Sequence, residues 1–253
     1  MTSTEQHRTV LITGSTSGIG AATAHTLAAQ GWRVVVTGRD RARGDAVVTA
    51  ITAAGGQAAF VPSDLTAPSD DLRAFARAAT SAAGGRLDAL VHNAALCPAV
   101  DTVSLTDDDL DATLAVNIRA PHVLTAALAP AMADRGHGAI VVIGSWMAHV
   151  GHPFVGLYSA TKAAEIQLAR SWAAEFGPRG VRVNTVSPGA TRTPINAADG
   201  DVIAAMTART PAGRPGTPEE IADAVAWVLS DRAGYLHGAE LAVDGGITAT
   251  RPV

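Results

Sequence analysis

Short apolar runs rich in β-branched residues alternate along this chain with longer alanine-rich stretches whose apolar positions recur every three or four residues. The runs TVLIT (9–13), RVVVT (33–37), AAFVP (58–62), LDALVHN (87–93), GAIVVIG (138–144), VRVNTVS (181–187) and ELAVDGG (240–246) read as strands. Between them, helices are predicted over about 19–30, 42–54, 70–83, 106–133, 158–176 and 218–229. Runs this continuously apolar belong to strands covered on both faces, and helical crossovers make neighbouring strands parallel. The pattern predicts α/β architecture: one doubly wound domain spanning 1–253, a parallel sheet of seven strands with helices on both faces. Ligands then belong at the carboxyl ends of the strands.

Composition narrows the partners more than the fold. Hydrophobic residues make up 47% of the 253 positions and charged residues 17%, ample for a large core. Aromatics are only 4%, so that core must be built from alanine, valine, leucine and isoleucine. A formal net charge of −4 with scattered arginines argues against a nucleic-acid or membrane-surface partner. The one cysteine, Cys97, rules out an internal disulfide and a thiolate metal cluster, and no metal site is expected. The start, MTSTEQHRT, is polar, and no apolar run is long enough to span a bilayer, so a cytoplasmic location is the expectation.

The junction of the first strand and first helix reads LITGSTSGIGAAT, which places Gly14, Gly18 and Gly20 in one tight turn. Glycine permits backbone angles closed to other residues and lets the main chain approach a phosphate. The following helix offers unpaired N–H groups and a positive dipole end to that anion, with Ser15, Thr16 and Ser17 as added hydroxyl donors. The spacing is neither G-x-G-x-x-G nor a P-loop.

A second signal lies in LYSATKAAE. Lys162 is the only lysine of the chain, and Tyr158, one of two tyrosines, precedes it by four residues. On a helix those positions share a face. A phenol titrates near ~10, and a nearby ammonium favours the phenolate, which brings Tyr158 towards the range useful in acid–base chemistry. Arginine, with its broad planar fork, is no substitute for a compact ammonium. Ser145 ends the fifth strand, where a ligand-facing hydroxyl belongs. IGSWM lacks the second glycine of a hydrolase elbow, so Ser145 is not read as a hydrolytic nucleophile. Asn117 falls inside a predicted helix, a poor place for asparagine on propensity.

TGSTSGIG, HNAA, Asn117, Ser145, YSATK and SPGATRT occur in the order found in the short-chain dehydrogenase/reductase family, which the chain resembles from residue 9 to about 246. The resemblance implies a single Rossmann-type domain, a nicotinamide cofactor and a catalytic set of Asn117, Ser145, Tyr158 and Lys162. In that set Ser145 hydrogen-bonds the substrate oxygen and Tyr158 is the acid or base. Lys162 also reaches the cofactor ribose, and Asn117 holds a water that relays protons to it. The cofactor contacts implied are Gly14, Ser15, Ser17, Gly18, Ile19 and Gly20 in the turn, Asp64 and Leu65 at the adenine, and Asn93 and Ala94 at the ribose. Pro188, Gly189, Thr191 and Thr193 flank the nicotinamide, and Tyr158 and Lys162 complete the list. HNAA departs from the family's usual NNAG at His92 and Ala95, and His92 is read as structural.

The second strand ends VVVTGRD. An acid at its tip binds a ribose 2′-OH, whereas an arginine accommodates a 2′-phosphate. Gly38 occupies the family's acid position and Arg39 follows, so NADP(H) is expected, with NAD(H) as the competitor. Asp40 could neutralise Arg39 or contact the ribose itself. Substrate walls are expected from Leu96, Trp146, Met147 and Phe154, joined by Cys97, His149 and His152, with the loop 190–216 as a lid. These side chains suit a modest hydrophobic ketone or hydroxy compound. Ketone reduction is the expected activity; an NAD-dependent alcohol dehydrogenase and a non-catalytic NADP sensor are the alternatives. A halohydrin-dehalogenase-like enzyme fits less well, because Lys162 and the intact glycine turn speak against it. A methyltransferase would not need the Tyr–Lys pair. A homo-oligomer, tetrameric by resemblance, is expected from the alanine-rich helices.

Overall fold

The seven apolar runs form strands β1 (Thr9–Ile12), β2 (Arg33–Gly38), β3 (Gln57–Pro62), β4 (Ala89–His92), β5 (Gly138–Ile143), β6 (Val181–Pro188) and β7 (Glu240–Val243) in the computed structural model. The structure describes residues 7–194, 196 and 200–250. All pairings are parallel and the strand order is β3-β2-β1-β4-β5-β6-β7. The chain walks outward from β1 to β3, then returns to lay β4 on the other side of β1. That reversal opens a crevice at the carboxyl ends of β1 and β4, where an open α/β sheet holds its ligand.

Helices α1 (Gly18–Ala29), α2 (Arg41–Ala53) and α8 (Pro218–Leu229) cover one face; α3 (Ser69–Ala82), α5 (Ala120–Asp134) and α6 (Gly156–Phe176) cover the other. The two-residue period of a strand divides the core between them. Val10 and Ile12 of β1 pack with Leu27, Ile51 and Val225, while Leu11 between them packs with Phe75, Leu124 and Trp172. Strands β1, β4 and β5 are buried along their whole length, as their uninterrupted apolar runs require. Each fully buried aliphatic side chain contributes about 1.5–3 kcal/mol of transfer free energy. No helix among the described residues is long and apolar enough to cross a membrane.

Two departures from the expected elements matter for the site. The helix expected over 106–133 is broken into α4 (Asp107–Leu114), a π-helical turn (Ala115–Arg119) and α5. The wider turn carries Asn117 and buries it completely, a placement apolar spacing does not reveal. Within the loop 190–216 lies a further helix, α7 (Gly200–Thr207). Strands β1, β4 and β5 also each end one residue earlier than the runs that predicted them. Thr13, Asn93 and Gly144 therefore leave the sheet and line its carboxyl edge.

Candidate active site

After β1 the chain makes a left-handed turn at Gly14 (φ 64°) and again at Gly18 (φ 53°), where a side chain would be strained. A Cβ on Gly20 would stand 2.5 Å from both Asn93 Nδ2 and the Gly14 oxygen. Ser17 is the extended N-cap of α1 yet makes no side-chain capping bond, and the first turn of that helix holds no acidic residue. By contrast Asp40, Thr106 and Thr217 each cap their own helices. The open N–H groups of α1, beside backbone stripped of side chains, suit the pyrophosphate of a dinucleotide.

Not every predicted turn contact survives. Ser15 is fully buried; its hydroxyl donates to the Ile12 oxygen (2.7 Å) and accepts from Thr37 N–H (2.9 Å), and its own N–H donates to the Thr37 oxygen (3.0 Å). It ties β1 to β2 and is not free to donate to a phosphate. Asn93 also works from behind the turn, with Nδ2 donating to the Thr13 (2.9 Å) and Gly14 (3.1 Å) oxygens. Thr13, which the motif does not single out, accepts from the N–H groups of Asn93 (2.9 Å) and Ala94 (3.1 Å) and so locks β1 to β4 at the crevice. Ile19 is half-buried on the first turn of α1.

At the tip of β2 a Cβ on Gly38 would meet Thr16 Cγ2 at 2.8 Å, so an acid fits there only if the Thr16 side chain moves. Arg39 is exposed, and among the described residues no carboxylate forms a salt bridge with it. Of the two roles open to Asp40, neutralising Arg39 is not the one taken: it caps α2, accepting from Arg43 N–H and Nε at 3.0 Å each, and does not pair with Arg39. Asp64 folds its carboxylate onto Thr66, accepting from N–H (2.9 Å) and Oγ1 (2.7 Å). Those bonds, and more weakly Arg39, hold its carboxyl below the ordinary range. Leu65 packs half-buried beneath it.

Across the crevice, α6 presents Tyr158 and Lys162 from one face, with Lys162 Nζ 5.7 Å from the centre of the Tyr158 ring. Ser145 caps a 3-10 turn (Trp146–His149); its Oγ accepts from Met147 N–H at 3.1 Å, which leaves the hydroxyl proton to point elsewhere. That hydroxyl lies near enough to the Tyr158 phenol to draw it downward. Asn117 spends its carboxamide on protein: Oδ1 accepts from Leu96 N–H (2.8 Å), and Nδ2 donates to the Leu96 oxygen and Thr161 Oγ1, both at 2.9 Å. It pins the loop after β4 to α6.

Lys162 is the least expected part of the site. It is 1% exposed, and Nζ donates to the Ile143 oxygen at 2.8 Å while standing 2.7 Å from Glu165 Oε2. Glu165, equally buried, was not legible as a site residue, although it lies seven positions from Tyr158 on the same helix face. Burial alone would push the ammonium down; Glu165, then Tyr158, outweigh it, so Lys162 is raised. The expected fall in the Tyr158 phenol is corrected in direction. Burial is the largest influence and pushes it up, Lys162 and Ser145 pull it down, and the net is upward. The charge argument had the right sign for Lys162 but left desolvation out. His92 is buried, shares a 2.9 Å hydrogen bond with Thr125 Oγ1, and is held down to about 3 by burial and by Lys162, a structural residue as expected.

On the substrate side, Trp146 and Met147 follow Ser145 directly, and Leu96 lies half-buried above Asn117. Phe154 stands 53% exposed, edge-on to His152. His149 turns away from the crevice to Glu240, Nε2 to Oε1 at 2.6 Å, and is no substrate wall. The loop 190–216 is closed at its neck by Gly216 N–H donating to the Ala190 oxygen and Arg192 N–H to the Gly216 oxygen, both 3.0 Å. Pro188 and Gly189 carry β6 out of the sheet, and Gly189 N–H donates to the Val243 oxygen. Thr191 Oγ1 donates to the Gly189 oxygen (3.0 Å), and Thr193 comes over the turn, 3.5 Å from where a Cβ on Gly18 would lie. The first stretch of the loop therefore roofs the proposed phosphate site.

A family profile described as enoyl-(acyl carrier protein) reductase matches residues 14–248. Cis-4-hydroxycyclohexanecarboxylate dehydrogenase of Sinomonas cyclohexanicum is 40% identical over 96% of this chain and 97% of its own length. The L-rhamnose 1-dehydrogenase (NAD(P)(+)) of Azotobacter vinelandii is 37% identical over 95% and 96%. Among solved structures, a short-chain dehydrogenase/reductase from Serratia marcescens superposes with a TM-score of 0.89 at 36% identity, covering 96% of this chain and 98% of that one. A Beutenbergia cavernae structure with NADP bound at low occupancy gives 0.90 at 37% identity, covering 96% and 97%.

Proposed function

The chain belongs to the short-chain dehydrogenase/reductase family, as an oxidoreductase of CH–OH groups that works with a nicotinamide cofactor, and from that premise we propose that it reduces ketones with NADPH. The observation that carries the reading is the meeting of Tyr158, Lys162 and Ser145 across a crevice from the open amino end of α1. A dinucleotide held there supplies or accepts the hydride. The chain's own part is to bind, orient and move one proton.

Tyr158 gives its phenolic proton to the carbonyl oxygen in reduction and takes it back in oxidation. Because burial raises the phenol, it starts protonated near neutrality, the state that reduction uses. Ser145, with Oγ already accepting from Met147 N–H, donates to the same substrate oxygen and shares the charge that develops there. Lys162 fixes a positive charge behind the ring.

Gly38 and the unpaired Arg39 support NADP(H) over NAD(H), since a 2′-phosphate gains a guanidinium and meets no acid. Leu96, Trp146, Met147 and Phe154 support a compact apolar substrate. The hydroxycyclohexanecarboxylate relative makes cyclic ketones the first class to try. The family resemblance supports a homotetramer. The test is nicotinamide absorbance during incubation of the purified protein with a carbonyl panel, cyclohexanones included, and NADPH or NADH. Faster consumption of NADPH with a cyclic ketone is expected. No oxidation of either cofactor by any carbonyl moves the assignment to a cofactor sensor.

A further inference from the structure

Tyr158, Lys162 and Glu165 lie at positions i, i+4 and i+7 of α6, a spacing that puts all three on one face of the helix. Glu165 is 1% exposed, and its Oε2 lies 2.7 Å from Lys162 Nζ. The contact is an ion pair out of line for a good hydrogen bond, and neither carboxylate oxygen has another hydrogen-bond partner. A buried carboxylate with no second partner is costly unless a charge beside it requires it. Here the charge is the chain's single ammonium, itself sealed from water and bonded only to the Ile143 oxygen otherwise.

We propose that Glu165 is a positioning residue of the reaction: its carboxylate seats the Lys162 ammonium at the end of β5 and offsets part of the positive charge that Lys162 exerts on the Tyr158 phenol. The proposal deepens the oxidoreductase reading and rests on it for its functional meaning. The titratable groups facing the ammonium are few. His92 faces it from β4 and Cys97 from the loop after β4, while Tyr158 and Glu165 come from α6 itself. β5 offers the Ile143 oxygen and the Ser145 hydroxyl, and the π-helical turn offers the Asn117 carboxamide. The charged side chains of α4 and that turn, Asp107, Asp108, Asp109, Asp111 and Arg119, are all exposed. His92 stays neutral, so Glu165, whose carboxyl burial pushes up and Lys162 pulls back down, is the one acid in direct contact with the ammonium.

Without Glu165 an uncompensated ammonium would bear on the phenol and favour phenolate. With it, the phenol stays a proton donor, the form needed to reduce a carbonyl. The carboxylate thus biases the site towards reduction.

The composition supplies two clean probes. Tyr235 is the other tyrosine and is fully exposed, so in a Tyr235→Phe background the tyrosinate absorbance reports Tyr158 alone. Lys162 is the only lysine, so lysine labelled with carbon-13 at Cε gives one signal in the unaltered chain. Adding Glu165→Gln to Tyr235→Phe is expected to lower the phenol midpoint by about half a unit or more. An unchanged or raised midpoint overturns the proposal. In the unaltered protein the lysine signal is expected to hold its ammonium position beyond the ordinary lysine value of 10.5. A move to the neutral amine position below about pH 9 overturns it even if the Gln variant does not fold. Neither measurement uses substrate or cofactor, so failure to find turnover sinks the reductase reading, while the two midpoints decide on their own whether Glu165 offsets the charge that Lys162 exerts on Tyr158.

Discussion

The side-chain nitrogen of Asn93 occupies the space a methyl group on Gly20 would need. It donates to the oxygens of Thr13 and Gly14, and a Cβ on Gly20 would lie 2.5 Å from it. The last glycine of the motif thus serves packing of the turn as much as access for a phosphate. Alanine ordinarily gains up to about 1 kcal/mol over glycine in a helix. In Gly20→Ala that gain is outweighed, because the Gly14 oxygen and Ser15 Cα, 2.5 and 2.9 Å from the new atom, are backbone and cannot swing aside. The expected outcome is a net loss of about 1–2 kcal/mol in denaturant unfolding and at least a tenfold loss of NADPH affinity by fluorescence titration. Gly156→Ala, at the start of α6 where a Cβ meets nothing within 4 Å, is the control and should be neutral to slightly stabilising.

Tyr158→Phe removes the phenolic oxygen and keeps the ring that packs near Lys162. Turnover of any ketone found in the panel should fall by about a hundredfold to ten-thousandfold, the usual worth of a positioned acid. NADPH affinity should stay within about threefold, a change of under ~1 kcal/mol. Steady-state rates and a direct binding titration check both halves. Retained turnover removes Tyr158 from its role.

Arg39 is exposed and free of any acidic partner among the described residues, as a 2′-phosphate ligand must be. Arg39→Glu reverses the charge at that contact. A lost charge-assisted hydrogen bond of about 1.5–3 kcal/mol predicts a loss in NADPH affinity of tenfold or more. NADH, which carries no charge at the 2′ position, should change far less. Parallel titrations with the two cofactors decide it, and equal losses would show that the selectivity contact lies elsewhere.

The strands, the glycine turn and the Tyr158–Lys162 face were legible because each is a local pattern: period, turn chemistry and helical spacing. What was not legible depended on which way a side chain points. Ser15 and Ser17 look alike in the sequence, but Ser15 is spent on the bond between β1 and β2. Asn117 stood out as a poor helix residue, yet only the π-helical turn shows it bonded to Leu96 and Thr161. Glu165 was passed over because a glutamate on a helix is normally solvated. Its spacing from Tyr158 and Lys162 was the available clue. The rise in the Tyr158 phenol could not be read from spacing at all, since it comes from burial by segments far away in the chain.

His92 yields a pH dependence with a definite sign. Buried beside Thr125, with Nδ1 unpartnered and Lys162 nearby, its ring is held down to about 3. An unfolded chain titrates this histidine at the ordinary 6.5. Above that value the ring is neutral in both states and costs nothing. Below it the unfolded chain takes up a proton that the folded chain refuses until about pH 3, so stability present above 6.5 drains away across that window. The slope is about 1.4 kcal/mol per pH unit, or roughly 2–3 kcal/mol between pH ~7 and ~4.5. Carboxylates elsewhere add their own acid dependence, so the comparison needs a variant. His92→Asn keeps a polar group near Thr125 and removes the titration. A lower stability of the variant at neutral pH does not affect the test, which reads only the change with pH. Urea unfolding at the two pH values should show the variant losing about 2 kcal/mol less than the parent. Equal acid losses would mean that His92 takes up its proton in the folded chain, against the burial and neighbouring charge observed around it.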